Sequence, residues 1–82
     1  MPGFQELHRR LVLLLLERVR SGEMTERGLA RVTGISQPHI HNVLKGKRLL
    51  SKDTADVILL ELHLDVLDLV EPRELLEWQN RG

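Results

Sequence analysis

The chain contains no cysteine and no tyrosine, and its only large aromatic residues are Phe4 and Trp78. Without cysteine it can form neither a disulfide framework nor a metal site built from thiolates. Residues that favour strands are scarce, whereas leucine fills 18 of the 82 positions, and this bias favours helix. A chain of this length is long enough for one compact domain, which we expect to cover residues 1–82.

Long hydrophobic runs are also missing. The most apolar stretch, LVLLLL at residues 11–16, is flanked by arginines and a glutamate. A membrane-spanning helix needs about 20 apolar residues, so this stretch is too short to cross a bilayer. Nothing in the sequence resembles a cleavable export signal. We therefore expect a soluble, cytoplasmic protein with no membrane partner.

The net charge is zero, but the charges are unevenly distributed along the chain. Residues 1–52 contain ten Lys or Arg and four Asp or Glu, which gives +6, whereas residues 53–82 contain two and eight, which gives −6. Such an asymmetry favours one face that meets a polyanion and another that faces elsewhere. Chance segregation of charges on a solvated surface is the alternative interpretation.

The spacing of apolar and capping residues predicts an all-α chain with five core helices and a short C-terminal sixth helix. Thr25, Ser36 and Asp65 are expected to begin the second, third and fifth helices, and Ser51 or Lys52 the fourth. The sixth helix begins at Glu71-Pro72, so residues 71–82 form a C-terminal extension. The expected ranges of the other helices are 4–20, 26–32, 37–45 and 52–62.

Residues 25–46 satisfy the requirements of a helix-turn-helix. Ala30 is small enough for the second of the two helices to cross the first closely, and Gly34 tolerates the positive φ that the turn requires. Facing apolar positions are also present, in one register. These positions are Leu29, Ile35, Ile40 and Val43.

The outward face of the third helix is polar but carries little charge. At 100° per residue, the face opposite Ile40, Val43 and Leu44 carries Pro38, His41, Asn42 and Lys45, with Gln37 and His39 at its borders. Amide and imidazole groups can hydrogen-bond to base edges in a DNA major groove, and a lysine at the helix end can reach a phosphate. A merely solvated helix face is the alternative, although such a face more often carries Glu and Lys.

The stretch TERGLARVTGISQPHIHNVLKGKR, together with the helix that follows it, resembles the λ-repressor-like (Xre/Cro-type) family of helix-turn-helix DNA-binding domains. The resemblance covers about residues 5–70 and implies a five-helix fold and sequence-specific binding of double-stranded DNA by a transcriptional regulator. The matching positions are Thr25, Leu29, Ala30, Gly34, Ile35, Ser36, Gln37, Ile40, Gly46, Lys47, Leu62 and Leu64.

Carried over position by position, the resemblance implies two groups of DNA contacts. Gln37 and Asn42 would touch bases, while their neighbours Pro38, His39 and His41 face the groove. Phosphate contacts would come from four residues, namely Thr25, Lys45, Lys47 and Arg48.

The chain departs from the family pattern at three positions. Glu26 replaces an uncharged amide that usually meets phosphate, and it would repel one. Pro38 replaces a residue that is usually polar, so its contact would be apolar. His63 stands where the family favours Gly, although His tolerates the left-handed backbone region better than most residues.

The sequence contains no clear motif for metal binding, for nucleophilic catalysis or for a phosphate loop. His39 and His41 are two residues apart in a helix, which places them on different sides and prevents them from sharing a metal ion. No serine lies in a nucleophile motif, and Gly46-Lys47 lacks the rest of a phosphate loop. We therefore expect neither an enzyme nor a bound metal or cofactor. A protein-interaction module that keeps this fold without binding DNA remains the alternative function.

The chain also has more apolar residues than one core face needs, including Leu13 and Leu16 on the first helix. The resemblance to the family favours a homodimer whose interface lies within residues 66–78. The alternative is that the sixth helix folds back over the first within one chain. The predicted interface residues are Val66, Leu67, Leu69, Val70, Leu75, Leu76 and Trp78.

Overall fold

In the computed structural model, residues 2–81 are described, except for the side chains of Trp78 and Arg81. Five α-helices and one 3-10 turn follow each other within this range, which contains no strand. The prediction of an all-α chain is therefore confirmed. The helices are α1 (Phe4–Arg20), α2 (Glu26–Thr33), α3 (Gln37–Leu44), α4 (Lys52–Glu61) and α5 (Pro72–Arg81).

The predicted fifth helix is only a single 3-10 turn, Val66–Leu69. The Asp65 carboxylate accepts a hydrogen bond from Leu67 N at 3.0 Å, and the Asp65 N–H donates to Asp68 Oδ2 at 2.6 Å. The chain is extended at Val70, and Pro72, which disfavours helical geometry at Glu71 directly before it, follows two positions later. One turn is therefore all that fits between these two stops.

Side-chain caps explain where the three central helices begin. Thr25 Oγ1 accepts a hydrogen bond from Gly28 N at 2.9 Å, and Ser36 Oγ accepts one from His39 N at 3.3 Å. At α4 the choice between two predicted caps falls on Ser51, whose Oγ accepts from Thr54 N at 3.1 Å. Each of these caps satisfies a backbone donor that the first turn of a helix leaves unpaired.

The end of α2 and the start of α3 are separated by a short turn at Gly34. Gly34 adopts a φ of 74°, a left-handed conformation that costs glycine little, and its N–H donates to Ala30 O at 2.9 Å. The turn brings α2 and α3 into contact. Leu29 of α2 and Ile40 and Val43 of α3 are at most 2% exposed, so the two helices bury their facing apolar sides together.

The core is made almost entirely of branched aliphatic side chains contributed by α1 to α4, the 3-10 turn and the segment between α3 and α4. α1 contributes Leu11 and Leu15, and the 3-10 turn contributes Leu69. No buried polar side chain was found among the described residues. The remaining members of the core are Leu29, Ile40, Val43, Leu44, Leu50, Ala55, Ile58 and Leu59.

A charged cluster joins α1 to α5. Arg10 of α1 donates to both carboxylate oxygens of Glu74, at 2.6 and 2.9 Å, and to the backbone oxygen of Leu69 at 3.0 Å. It also donates to Glu6, at 3.0 Å. The hydrogen bond from Arg10 lowers the pKa of Glu74 to about 2. An ion pair therefore joins α5 to α1 of the same chain.

α4 ends at a residue with an unusual backbone conformation. His63 has a φ of 56°, which is the left-handed region, and Leu64 N donates to Leu59 O across the bend at 2.8 Å. The sequence already suggested that His63 occupies a position suited to glycine. The bend turns the chain from α4 toward the 3-10 turn.

Candidate nucleic-acid interface

One side of α3 is buried and the other is polar. Because Ile40, Val43 and Leu44 point into the core, the opposite side of the helix faces solvent. We call Gln37, Pro38, His41 and Asn42 the polar α3 surface. Together with Glu26 these residues line a shallow cavity of about 320 Å³.

The residues predicted to read bases differ in how far they are exposed. Gln37, Pro38 and His41 are exposed, whereas His39 and Asn42 are half-buried. The structure thus brings four of the five to one surface and leaves His39 at its border. Amides and imidazoles on this surface offer both hydrogen-bond donors and acceptors.

Behind α3 the chain forms a basic loop, residues 45–48. Lys45 caps the C-terminus of α3, Gly46 takes a φ of 77°, and the N–H groups of Lys47 and Arg48 both donate to Asn42 O, at 2.8 and 3.3 Å. These bonds hold the loop against the end of the helix. Lys45, Lys47 and Arg48 are exposed, and none of them forms a salt bridge with another described residue.

Thr25 lies at the start of α2. The next residue, Glu26, lines the cavity together with the polar α3 surface. The Thr25 hydroxyl oxygen accepts the hydrogen bond from Gly28, and its hydroxyl proton can still be donated. The N-terminus of a helix carries a partial positive charge that favours anions. Thr25 is exposed and so is accessible to such a ligand.

Glu26 and His41 form a contact that the sequence did not indicate. His41 Nδ1 lies 3.1 Å from Glu26 Oε1 and 3.3 Å from Oε2, which joins the first turn of α2 to the outer side of α3. With Nδ1 protonated, the imidazole donates to the carboxylate. Glu26 is the carboxylate that lines the shallow cavity, and this hydrogen bond satisfies part of its acceptor capacity.

His8 is a second residue whose part in the structure could not be read from the sequence. Its Nε2 accepts a hydrogen bond from the backbone N–H of Leu50 at 2.9 Å, which ties α1 to the segment just after the basic loop. In the neutral ring the proton must therefore sit on Nδ1. His8 thus helps to fix where the basic loop ends.

The residues predicted to form a dimer interface have different environments. Leu69 is only 8% exposed and packs in the core of its own chain, so it has little surface to offer a second copy. Val66, Leu67 and Leu76 are exposed, and Val70 and Leu75 are half-buried. The side chain of Trp78 lies outside the described residues.

Within the described part of the chain, no group of three or more His, Asp or Glu side chains is placed to hold a metal ion. None of the helices there combines the length and apolar character needed to traverse a lipid bilayer.

Comparison of the chain with protein-family models, with curated proteins and with solved structures found no match.

Proposed function

We propose that the protein binds double-stranded DNA in a sequence-specific manner and acts as a transcriptional regulator of the λ-repressor-like (Xre/Cro-type) kind. The observation that carries this proposal is the combination at α3. An exposed, nearly uncharged polar surface continues directly into a basic loop without salt bridges to other described residues. The polar surface suits hydrogen bonds to base edges, and the basic loop suits contacts with phosphates.

The arrangement of α2 and α3 supports a helix-turn-helix. The two helices are eight residues each, they pack through Leu29, Ile40 and Val43, and a left-handed glycine joins them. In this motif the second helix enters the major groove and the first crosses the backbone. α3 would then read bases, while Thr25 at the start of α2 faces phosphate.

Each side chain of the interface has a role that follows from its chemistry. Gln37 can form paired hydrogen bonds with an adenine, and Asn42 can do the same from the next turn of α3. Pro38 would offer an apolar contact to a thymine methyl. Lys45, Lys47 and Arg48 would bind phosphates, where they contribute affinity without reading sequence.

Assembly as a homodimer completes the proposal. One recognition helix touches only a few base pairs, whereas two copies related by a twofold axis can read a palindrome with half-sites about one helical turn apart. The exposed apolar residues Val66, Leu67 and Leu76 offer surface for this interface. Leu69 is buried in the core of its own chain, so it would not contact a second copy directly.

A second candidate, a protein-docking module with the same fold, is favoured by two observations. First, Glu26 places a negative charge beside α3. Second, large apolar side chains are exposed on α1, just after the basic loop and on α4, namely Leu13, Leu49 and Leu60. Contiguous exposed apolar surface often marks a protein-binding site.

The salt dependence of binding to duplex DNA separates the two functions. We expect the affinity, measured by fluorescence anisotropy with labelled duplexes, to fall linearly on a logarithmic scale as salt rises, because bound cations are displaced from phosphates. The slope should be about −0.9 for each phosphate contacted. Little affinity for any duplex, even at low salt, would favour the docking module and contradict DNA binding.

A further inference from the structure

A cleft lies between the first half of α1 and the segment that follows α3. It has a volume of about 370 Å³, within the usual size range of small-molecule sites. Its floor includes Val43 and Leu50, which belong to the core, and Val12. We call it the apolar cleft.

Three exposed apolar side chains form the walls of the apolar cleft. Phe4 is 46% exposed, Leu13 is 49% exposed and Leu49 is 80% exposed. Folding leaves these side chains in water although the core lies directly beneath them. A ligand with an apolar body would cover them and gain the free energy of removing that surface from water.

The charged groups at the rim are all of one sign. Arg9 and Arg48 line the cleft, and no Asp or Glu does. Arg9 is partly neutralised by Glu6, which accepts from its Nε and Nη2, whereas Arg48 forms no salt bridge with a described residue. The imidazole of His8 also lines the cleft, and because Nε2 accepts from Leu50 N, the group it can offer there is the Nδ1–H donor.

An apolar interior with a cationic rim complements a small molecule that has an apolar tail and one negative charge. We propose that the apolar cleft is a binding site for an amphipathic carboxylate, such as a medium-chain fatty acid, with its tail on Leu13 and Leu49 and its carboxylate on Arg48. This function lies beyond DNA binding and does not require it. If a second copy of the chain docked here symmetrically, the cationic rims of the two copies would face each other, and repulsion between like charges opposes that contact.

The chemistry of the ligand gives the first test. Octanoate, 1-octanol and octylamine share one tail and differ in head-group charge, and their affinities for the full chain can be measured by calorimetry without DNA. We expect octanoate to bind more tightly than the alcohol, and octylamine most weakly. From hexanoate to octanoate, each added methylene should increase the affinity about three- to fourfold. Equal affinities for the three head groups would overturn the proposal.

Paired variants locate the site. Arg48→Gln should weaken octanoate binding about three- to tenfold, because it removes a charge-assisted hydrogen bond, and should leave octanol binding unchanged. Lys47→Gln is the matched control: it removes the same charge from the adjacent position, which does not line the cleft, and should leave octanoate binding unchanged. An equal loss in both variants would mean that the whole basic loop attracts the anion and would overturn the site.

The apolar wall is tested in the same way. Leu49→Gln should weaken octanoate, whereas Leu60→Gln, which alters a comparably exposed leucine on α4, should not. Both side chains are exposed, so both variants should keep the fold, which circular dichroism can verify. In nuclear magnetic resonance spectra, octanoate should shift the amide signals around the cleft. Shifts spread evenly over all exposed apolar residues, or the same cleft signals moving with protein concentration alone, would overturn the proposal.

Discussion

Replacing Glu26 by Gln should strengthen DNA binding while slightly destabilising the fold. Glu26 lines the cavity beside the polar α3 surface, at the N-terminus of α2, where the proposed orientation brings a phosphate close. A carboxylate about 5 Å from a phosphate is repelled by about 0.8 kcal/mol in water, and a hydrogen bond donated by an amide contributes about 0.5–1.5 kcal/mol. The sum corresponds to about a ten- to fiftyfold gain in affinity.

The effect on stability has the opposite sign. A negative charge in the first turn of α2 is stabilised by the helix dipole by about 0.3–1 kcal/mol, and Gln loses that interaction. The hydrogen bond with His41 is partly exposed and so adds little more. For a domain of this size we therefore expect the melting temperature to fall by about 1–8 °C.

Both quantities can be measured on the same preparations, by anisotropy with a fixed duplex at fixed salt and by thermal unfolding. Glu17→Gln is the matched control, because it makes the same change of charge at an exposed position of α1 outside this cavity. We expect the control to change DNA affinity by less than about twofold. If Glu26→Gln bound DNA no more tightly than Glu17→Gln, the N-terminus of α2 would not face phosphate, and the proposed orientation of α3 would be refuted.

Four further changes test other parts of the account. Gln37→Ala should weaken cognate binding by about 1–3 kcal/mol and relax preference at one base position, whereas an unchanged preference in site selection would contradict base reading. Lys47→Ala should weaken cognate and random duplexes alike and reduce the salt slope by about one unit, so a loss confined to the cognate site would argue against a phosphate contact. His63→Gly should raise the free energy of unfolding by about 0.5–1 kcal/mol, since relief of the left-handed strain exceeds the added flexibility of glycine; denaturant unfolding would show no gain if that strain were absent. Hydrogen bonding to Arg10 lowers the pKa of Glu74 to about 2, so the stability from this pair is present above the usual value of 4.5 and is lost as pH falls through about 2. As pH falls through this range, the melting temperature of Glu74→Gln should therefore fall less than that of the unmodified chain. If the two melting temperatures fell in parallel with pH, the Arg10–Glu74 pair would not contribute to stability.

The helices could be predicted closely because their starts depend on short-range chemistry. Thr25 and Ser36 each cap the helix that follows, and their hydrogen bonds span three residues. The interior of α1 follows from the spacing of Leu11 and Leu15. The start of the fifth element at Asp65 was predicted, but this element is a 3-10 turn, because the pattern of apolar residues does not distinguish one 3-10 turn from a short α-helix.

The contacts that organise the candidate site could not be predicted, because they join residues that are distant in the sequence. Glu26 meets His41 only once α2 and α3 have crossed at a particular angle, and His8 meets the Leu50 N–H across 42 positions. Local periodicity contains no information about these distances. The residue types on the outer side of α3 could be read from the sequence, whereas the hydrogen-bond partner of Glu26 became evident only in the tertiary structure.

Selection of binding sites from a pool of random duplexes can decide whether α3 reads a DNA sequence. We expect the enrichment of one palindromic motif whose half-sites lie about one helical turn apart, since two copies of α3 would read it. We also expect that selection with Gln37→Ala loses information at one position of each half-site. If no motif were enriched, under salt conditions where the chain is folded, α3 would not read a DNA sequence.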